Sequence, residues 1–268
     1  MIRVGVIGAA GRMGRMVCRA VAADEELSLV AGISPRHAGE PLQELAERPG
    51  LAVRLSESID ALATMATEVA VDFTTPTAVM ANVKWAIQNG IHIVVGTTGI
   101  GPKDLDEIRR LTAEGKGRSN VIVAPNFAVG AVLMQRFAVE AARVFDAAEI
   151  IELHHEGKAD APSGTAIATA ERMAAARSGS WEGPTRESVG GARGGGVHGI
   201  RIHSVRLPGL VAHQEVLFGG TGETLTIRHD SSSRESFMPG VLLAIKAVSS
   251  RPGLTVGIEP LLGLDPEA

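Results

Sequence analysis

The chain has 268 residues, 45% hydrophobic and 21% charged, with a formal net charge of −4; this is ordinary globular composition, enough for one large domain or two modest ones. Aromatic residues make up 3%, with no Tyr, and no basic surplus or patch is visible, which argues against base stacking and against any nucleic-acid partner. No apolar run is long enough to cross a bilayer, and Met1-Ile2-Arg3 leads directly into a strand with no charged region followed by a long apolar run, so a cytoplasmic protein without a membrane partner is expected.

Taken in chain order, the first half alternates short apolar runs with amphipathic stretches. Residues 3–7 are a β-branched strand ending at Gly8, 12–23 a helix, 27–33 a strand and 68–73 another. Residues 77–89 are helical with Gly90 as the C-terminal stop, 91–95 a strand closed by Gly96, 102–114 a helix with Pro in its first turn, and 121–124 a strand. This β–α rhythm implies a parallel sheet covered by helices on both faces. The lone cysteine, Cys18, lies on the apolar side of the first helix and reads as a small core residue rather than a nucleophile, as expected in a reducing compartment.

After Asn126 the pattern changes. Residues 129–144 are a long apolar helix, 148–153 a strand leading into two histidines, and 163–176 a second helix. The glycine-rich stretch 178–199 reads as a mobile loop. Runs 200–207, 211–218 and 223–228, separated by Pro208-Gly209 and by Gly219-Gly220-Thr221-Gly222, suit an antiparallel meander, and 237–248 is a final helix. The expected architecture is α/β: a doubly wound parallel-sheet domain over 1–125, completed by 235–268, then an α+β domain with a mixed or antiparallel sheet over 126–234.

The first strand runs into Gly8-Ala9-Ala10-Gly11-Arg12-Met13-Gly14, a glycine fingerprint one residue off the usual spacing because Ala10 stands where the second Gly is expected. Gly8 permits the tight turn, Gly11 lets backbone approach a pyrophosphate, and Gly14 lets helix pack on strand. Exposed amides and the positive end of the helix dipole would hold the anion. This makes residues 1–125 a dinucleotide-binding (Rossmann) domain; the plain alternative is a tight turn without a ligand. The second strand ends in Ser34-Pro35-Arg36-His37, without the carboxylate that usually bonds the ribose hydroxyls of NAD. Arg36 is placed to pair with a 2′-phosphate, so the cofactor is NADPH and/or NADH with a lean to NADPH, unless Arg36 is only a solvated loop charge.

The densest chemistry is the run Glu152-Leu153-His154-His155-Glu156-Gly157-Lys158-Ala159-Asp160-Ala161-Pro162-Ser163-Gly164-Thr165-Ala166. Ser163 is a good N-cap before an alanine-rich helix, so Gly164 and Thr165 would present unsatisfied amides, and Lys158 adds a point charge. Together they form a carboxylate site. Strand geometry aims His154 and His155 at opposite faces unless the strand breaks, which Gly157 permits. An imidazole there can supply a proton near neutral pH. Three other readings stand beside this one: a zinc site, for which no standard spacing is present and no metal is expected; a purely structural histidine pair with a capped helix; and a Ser163 nucleophile, for which the strand-to-helix elbow is missing.

These segments resemble the 4-hydroxy-tetrahydrodipicolinate reductase (dihydrodipicolinate reductase) family. The resemblance rests on His154-His155 followed by Lys158-Ala159-Asp160-Ala161-Pro162-Ser163-Gly164-Thr165-Ala166, with Gly8 to Gly14, Gly96-Thr97-Thr98-Gly99, Ala124-Pro125-Asn126-Phe127 and Ser231-Ser232-Ser233-Arg234 in the same order along nearly the whole chain. It implies reduction of a small cyclic dicarboxylate by a nicotinamide nucleotide, with loss of water, in lysine biosynthesis. His154 would then be the proton donor and Lys158 the second acid or polarising group. His155, Ser163 and the amides of Gly164 and Thr165 would hold the substrate. Gly8, Ala9, Ala10, Gly11, Arg12, Met13, Ser34, Arg36, Gly96, Thr97, Thr98, Ala124, Pro125, Asn126 and Phe127 would line the nucleotide. The family is typically a homotetramer through the sheet of its second domain. It commonly carries an acidic residue near Ser34 followed by Arg; here Pro35 precedes Arg36. A related dehydrogenase would share the glycine turn without needing Lys158, and a nucleotide-sensing regulator would have no need of His154 or Lys158.

Overall fold

The computed structural model describes residues 1–115, 118–177, 179, 181 and 186–264. In chain order its elements are β1 (Ile2–Ile7), α1 (Arg12–Ala23), β2 (Leu27–Ile33), α2 (Leu42–Leu45), β3 (Leu55–Ser56), α3 (Ala61–Thr64), β4 (Val69–Asp72), α4 (Val79–Gln88), β5 (His92–Val95), α5 (Pro102–Glu114) and β6 (Val121–Val123). There follow α6 (Val129–Ala142), β7 (Ala147–His154), α7 (Gly164–Ala175), β8 (Gly195–Val197), β9 (Ile200–Arg206), β10 (Ala212–Gly220), β11 (Glu223–Ser231), α8 (Met238–Ala247) and β12 (Leu254–Val256). The chain divides into two compact units, Met1–Ala128 with Phe237–Ala268, and Val129–Ser236.

The first unit is a seven-stranded sheet of order β12-β6-β5-β4-β1-β2-β3, with every pairing parallel. A sheet covered on both faces needs apolar residues on both sides of its central strands, and β4 (Val69-Ala70-Val71-Asp72) is buried at every position. Val79 and Val83 of α4 and Ile108 of α5 pack with Ile7, Ile33, Ile93 and Val95 in one core. The strand order reverses between β1 and β4, so a crevice opens at their carboxyl ends. Strand β12 extends the sheet beyond β6 and was not anticipated. Asn120 anchors that return: its amide donates to the carbonyls of Val248 and Ser249, both at 3.0 Å, and its Oδ1 accepts from the Gly253 amide at 3.2 Å.

The second unit is a five-stranded mixed sheet of order β11-β10-β7-β9-β8. Ala148 and Ile150 of β7, Ile200 and Ile202 of β9, and Val216 and Phe218 of β10 face α6 and α7, whose Ala138, Ala142, Ala166, Ala170 and Met173 complete the core. Small residues on both helices let them lie close to the sheet.

Here the expected antiparallel meander is corrected. Of the three expected runs, only β10 and β11 pair with each other as a hairpin; β7 separates β10 from β9, and β9 runs parallel to β7. The cause is the β7–α7–β9 crossover: α7 covers the sheet and returns the chain in the direction it left, as parallel neighbours require. Residues 207–211 then pass over the end of β7, where the Leu207 amide bonds the His154 carbonyl at 3.1 Å. The stretch read as a loop at 178–199 contains β8, antiparallel to β9; within it 178, 180 and 182–185 lie outside the described residues.

Candidate active site

The nucleotide turn is built from glycines with distinct physical duties. Gly8 has φ +82°, a left-handed conformation, and a Cβ there would lie 2.7 Å from the Phe73 carbonyl oxygen. Gly14 packs so tightly that a Cβ would sit 2.0 Å from the Gly8 carbonyl oxygen. Gly11 has an ordinary φ of −69°, and a Cβ there would meet only the Gly8 oxygen at 3.1 Å. Its bareness leaves the start of α1 open, with no side-chain cap on that helix, so the first-turn amides of Arg12 and Met13 lack intrahelical acceptors. The Gly8 and Ala9 amides are spent on the Ile33 carbonyl, and Arg15 Nε braces the Ala10 carbonyl from behind at 2.9 Å. This open cradle at a twelve-residue helix fits a dinucleotide's pyrophosphate.

The other expected nucleotide residues all lie at carboxyl ends of neighbouring strands. Ser34 follows β2 and is buried, its amide held by the Ser56 carbonyl at 2.9 Å; Arg36 is exposed two residues on. Gly96, Thr97 and Thr98 follow β5, where Gly96 admits the Phe73 ring to 2.2 Å of where its Cβ would be. Ala124, Pro125, Asn126 and Phe127 follow β6; Pro125 is exposed, and Asn126 Oδ1 turns the chain by accepting from the Ala128 amide. Phe127 is buried against Phe73 with ring centroids 5.9 Å apart.

A residue with no assigned role organises this rim. Asp72, fully buried at the end of β4, accepts from the Thr74 amide (2.9 Å), the Thr74 hydroxyl (2.7 Å), the Thr97 hydroxyl (2.7 Å) and the Asn82 amide (2.7 Å). Thr97 is therefore committed to tying the β4 and β5 loops together. Cys18 is fully buried, and burial pushes its thiol up to about 12, so it is an inert core residue.

In the second unit β7 ends at His154, and His155 begins a turn closed by the Lys158 amide on the His155 carbonyl at 3.1 Å. Strand alternation puts Glu152 and His154 on the same face, and lateral pairing sets Ser204 and Gln214 beside Glu152, and Arg206 and Ala212 beside His154. The Glu152 carboxylate has no exposed surface. Arg206 grips it with Nη2 on Oε1 at 2.7 Å and Nη1 on Oε2 at 2.9 Å. His154 Nδ1 contacts Oε2 at 2.5 Å, and the Ser163 amide donates to Oε1 at 3.2 Å. Arg206 also reaches the Asp160 carbonyl at 2.6 Å. One buried ion pair thus joins the end of β7, the end of β9, the Lys158 turn and the start of α7.

Burial pushes the Glu152 carboxyl up, but hydrogen bonds from Arg206, Ser204 and His154 outweigh it and hold the group below its ordinary range. Burial pushes the His154 imidazole down, and the Lys158 and Arg206 charges add to that; Glu152 opposes them. The Lys158 ammonium is held by both oxygens of Asp160, at 2.7 and 2.9 Å. Ser163 caps α7, its Oγ accepting from the Ala166 amide at 3.2 Å. Gly164 is exposed, and an added Cβ there would meet nothing within 4 Å, so no side chain crowds the first residue of α7. The His155 ring is half-buried and outside the Glu152–Arg206 network. Among the described residues no three His, Cys, Asp or Glu side chains converge as a metal site.

Sequence reasoning assigned no part to Glu152, Asp160 or Arg206. Strand alternation two residues before His154 was a usable signal for Glu152. Nothing local points to Arg206, because it reaches Glu152 only through the parallel β7–β9 pairing across 54 positions.

A family model described as "Dihydrodipicolinate reductase, N-terminus" matches residues 2–127, and one described as "Dihydrodipicolinate reductase, C-terminus" matches residues 130–262. This chain belongs to the dihydrodipicolinate reductase family. A 4-hydroxy-tetrahydrodipicolinate reductase from Mycobacterium sp. (strain KMS) is 52% identical over 265 residues, covering 98% of this chain and 100% of the relative. One from Nocardia farcinica (strain IFM 10152) is 51% identical, covering 98% and 99%. The dipicolinate-bound dihydrodipicolinate reductase from Paenisporosarcina sp. TG-14 superposes with a TM-score of 0.86 at 43% identity, covering 97% of this chain and 99% of that one. An amine dehydrogenase from Mycobacterium smegmatis, at 14% identity and a TM-score of 0.63, shares the fold alone. As a dihydrodipicolinate reductase family member the chain is a nucleotide-dependent oxidoreductase.

Proposed function

We propose that this chain reduces 4-hydroxy-tetrahydrodipicolinate to tetrahydrodipicolinate, with loss of water, in the diaminopimelate route to lysine. The observation that carries this reading is the gathering of one imidazole, one ammonium and a bare helix start around the end of β7. A bound reduced nicotinamide supplies the hydride. Gly8, Ala9 and Gly11, whose own amides bond the Ile33 and Gly8 carbonyls, shape the turn, and its pyrophosphate rests against the amides of Ala10, Arg12 and Met13 and the α1 dipole. Gly96, Thr97, Thr98 and the segment Ala124 to Phe127 shape the rest of the rim.

His154 acts as the proton donor from Nε2, since Nδ1 is engaged by Glu152. Lys158 leaves Asp160 for a substrate carboxylate, exchanging one ion pair for another. The amides of Gly164 and Thr165, at a helix start whose own cap is Ser163, take the second carboxylate with His155. Arg36, exposed beyond the carboxylate-free end of β2, favours NADPH over NADH.

Two further parts of the reading concern setting and assembly. Among the described residues no helix is long and apolar enough to cross a membrane, and we place the chain in the cytoplasm. We also propose a homotetramer built through the outer face of the second sheet, where a cavity of about 410 Å³ is lined by Ile151, Leu217, His203 and Thr224.

The test is oxidation of NADPH and NADH by the purified chain with the cyclic substrate generated in situ. Substrate-dependent consumption is expected with both nucleotides, faster with NADPH. No consumption with either would overturn the proposed activity, and a strong NADH preference would overturn the role of Arg36.

A further inference from the structure

Among the described residues only two carboxylates are buried, Asp72 and Glu152. Asp72 is surrounded by hydroxyls and amides. Glu152 is different: a guanidinium and an imidazole share its two oxygens. A structural ion pair needs no imidazole, and a carboxylate is costly to bury unless it is fully partnered. The arrangement puts that cost directly behind His154.

We propose that Glu152, clamped by Arg206, is the positioning residue of His154, fixing its Nδ1–H inward and leaving Nε2 as the only ring atom able to hand a proton to a substrate. This rests on the reductase reading above for its purpose, though not for its geometry. The clamp is directional. Arg206 approaches both carboxylate oxygens and the Ser163 amide approaches Oε1, so only Oε2 has a face left for the imidazole. A carboxylate held by so many donors accepts only, and the ring must offer Nδ1–H. Donation from Nε2 then leaves a neutral ring still bonded through Nδ1–H, with no reorientation.

The charged groups around the ring are Glu152 on β7, Arg206 on β9, and Lys158 with its partner Asp160 in the following turn; Ala212 on β10 brings none. Lys158 and Arg206 oppose a protonated ring, and Glu152 alone supports it.

Glu152→Gln tests this. The carboxamide must place its NH2 where one donor already stands. At the Oε1 position it meets two groups that can only donate, Arg206 and the Ser163 amide; at the Oε2 position it meets one Arg206 donor and a ring nitrogen that can accept by changing tautomer, while the Ser204 hydroxyl can donate or accept and so fits either orientation. The NH2 therefore turns to His154 and imposes the Nε2–H tautomer, which has no second proton to give. We expect turnover to fall by about a hundred- to ten-thousand-fold, the range of general acid catalysis. KM is expected to stay within about threefold, because no substrate-holding group is changed, with NADPH affinity unaltered. Glu152→Asp keeps an acceptor-only group and restores part of the turnover.

The readout independent of activity is the nitrogen chemical shifts of His154 in the free protein. The neutral ring carries Nδ1–H in the wild type and Nε2–H in Glu152→Gln. A wild-type ring in the Nε2–H form overturns the proposal, whether or not the variant folds. So does full turnover in a folded Glu152→Gln. An Nδ1–H ring in a chain that reduces nothing would leave the positioning intact and sink the reductase reading instead.

Discussion

Replacing Arg206 with Met keeps much of the side chain's length and removes the cation. Four hydrogen bonds go with it: two to Glu152 at 2.7 and 2.9 Å, one to the Val205 carbonyl at 2.8 Å and one to the Asp160 carbonyl at 2.6 Å. Glu152 stays behind with no exposed surface. Removing one partner of a buried pair costs about 3–5 kcal/mol, because the remaining charge is uncompensated. The pH dependence should change sign as well. In the wild type the folded Glu152 carboxyl lies below its ordinary value despite burial. Its stabilisation is therefore complete above the unfolded carboxyl pKa of about 4.3 and is lost as pH falls through the lower folded value. Without Arg206 burial dominates and the folded pKa rises above the unfolded one. The variant is then least penalised below about pH 4.3 and loses stability as pH rises through the raised value. Urea unfolding of both proteins at about pH 4.5 and about pH 7.5 should show a gap that widens towards the higher pH. A gap below about 1 kcal/mol, or one equal at the two pH values, would refute the claim that Arg206 is what keeps a buried charge at Glu152.

Other substitutions separate fold from binding. Gly14→Ala forces a methyl to within 2.0 Å of the Gly8 carbonyl oxygen and 2.9 Å of Ala9 Cα; overpacking against backbone should cost about 1–3 kcal/mol in thermal or urea unfolding and weaken NADPH binding with it. Gly11→Ala meets only one atom, at 3.1 Å, so its unfolding should match the wild type while calorimetric titration shows NADPH affinity reduced by about tenfold or more. Thr169, fully buried, accepts from Gln135 at 3.1 Å and Gln214 at 2.9 Å and donates to the Thr165 carbonyl at 2.8 Å; Thr169→Val should destabilise by about 1–3 kcal/mol, measured by denaturation. Lys158→Ala should raise KM and lower kcat in steady-state assays while leaving stability within about 1 kcal/mol, because its partner Asp160 is 59% exposed.

How much of this protein could be read in advance depended on whether the controlling interaction was local. The alternation of buried strands and amphipathic helices is written in runs of a few residues, so the parallel sheet of the first unit was legible. The glycine turn was legible for the same reason: Gly14 answers to the Gly8 and Ala9 backbone within one strand–turn–helix segment, and only the crowding of Gly8 against Phe73 comes from beyond it. The Ser163 cap closes over three residues. Even the partnership of Glu152 with His154 follows from strand alternation over two positions.

The rest was decided by tertiary structure. Three apolar runs punctuated by Pro-Gly and Gly-rich turns look like a meander, but no local signal reports that β7 enters between β9 and β10. That insertion sets Arg206 beside His154 and so creates the buried ion pair; antiparallel neighbours in chain order would have left Glu152 without its cation. Thr97 meeting Asp72 and Asn120 holding the carbonyls of Val248 and Ser249 are likewise matters of which segments come to lie together. By itself the sequence determined the elements and the chemistry each segment carries, because backbone preferences act over a few residues. Pairing partners depend on how distant surfaces bury one another, and only the folded chain chooses among them.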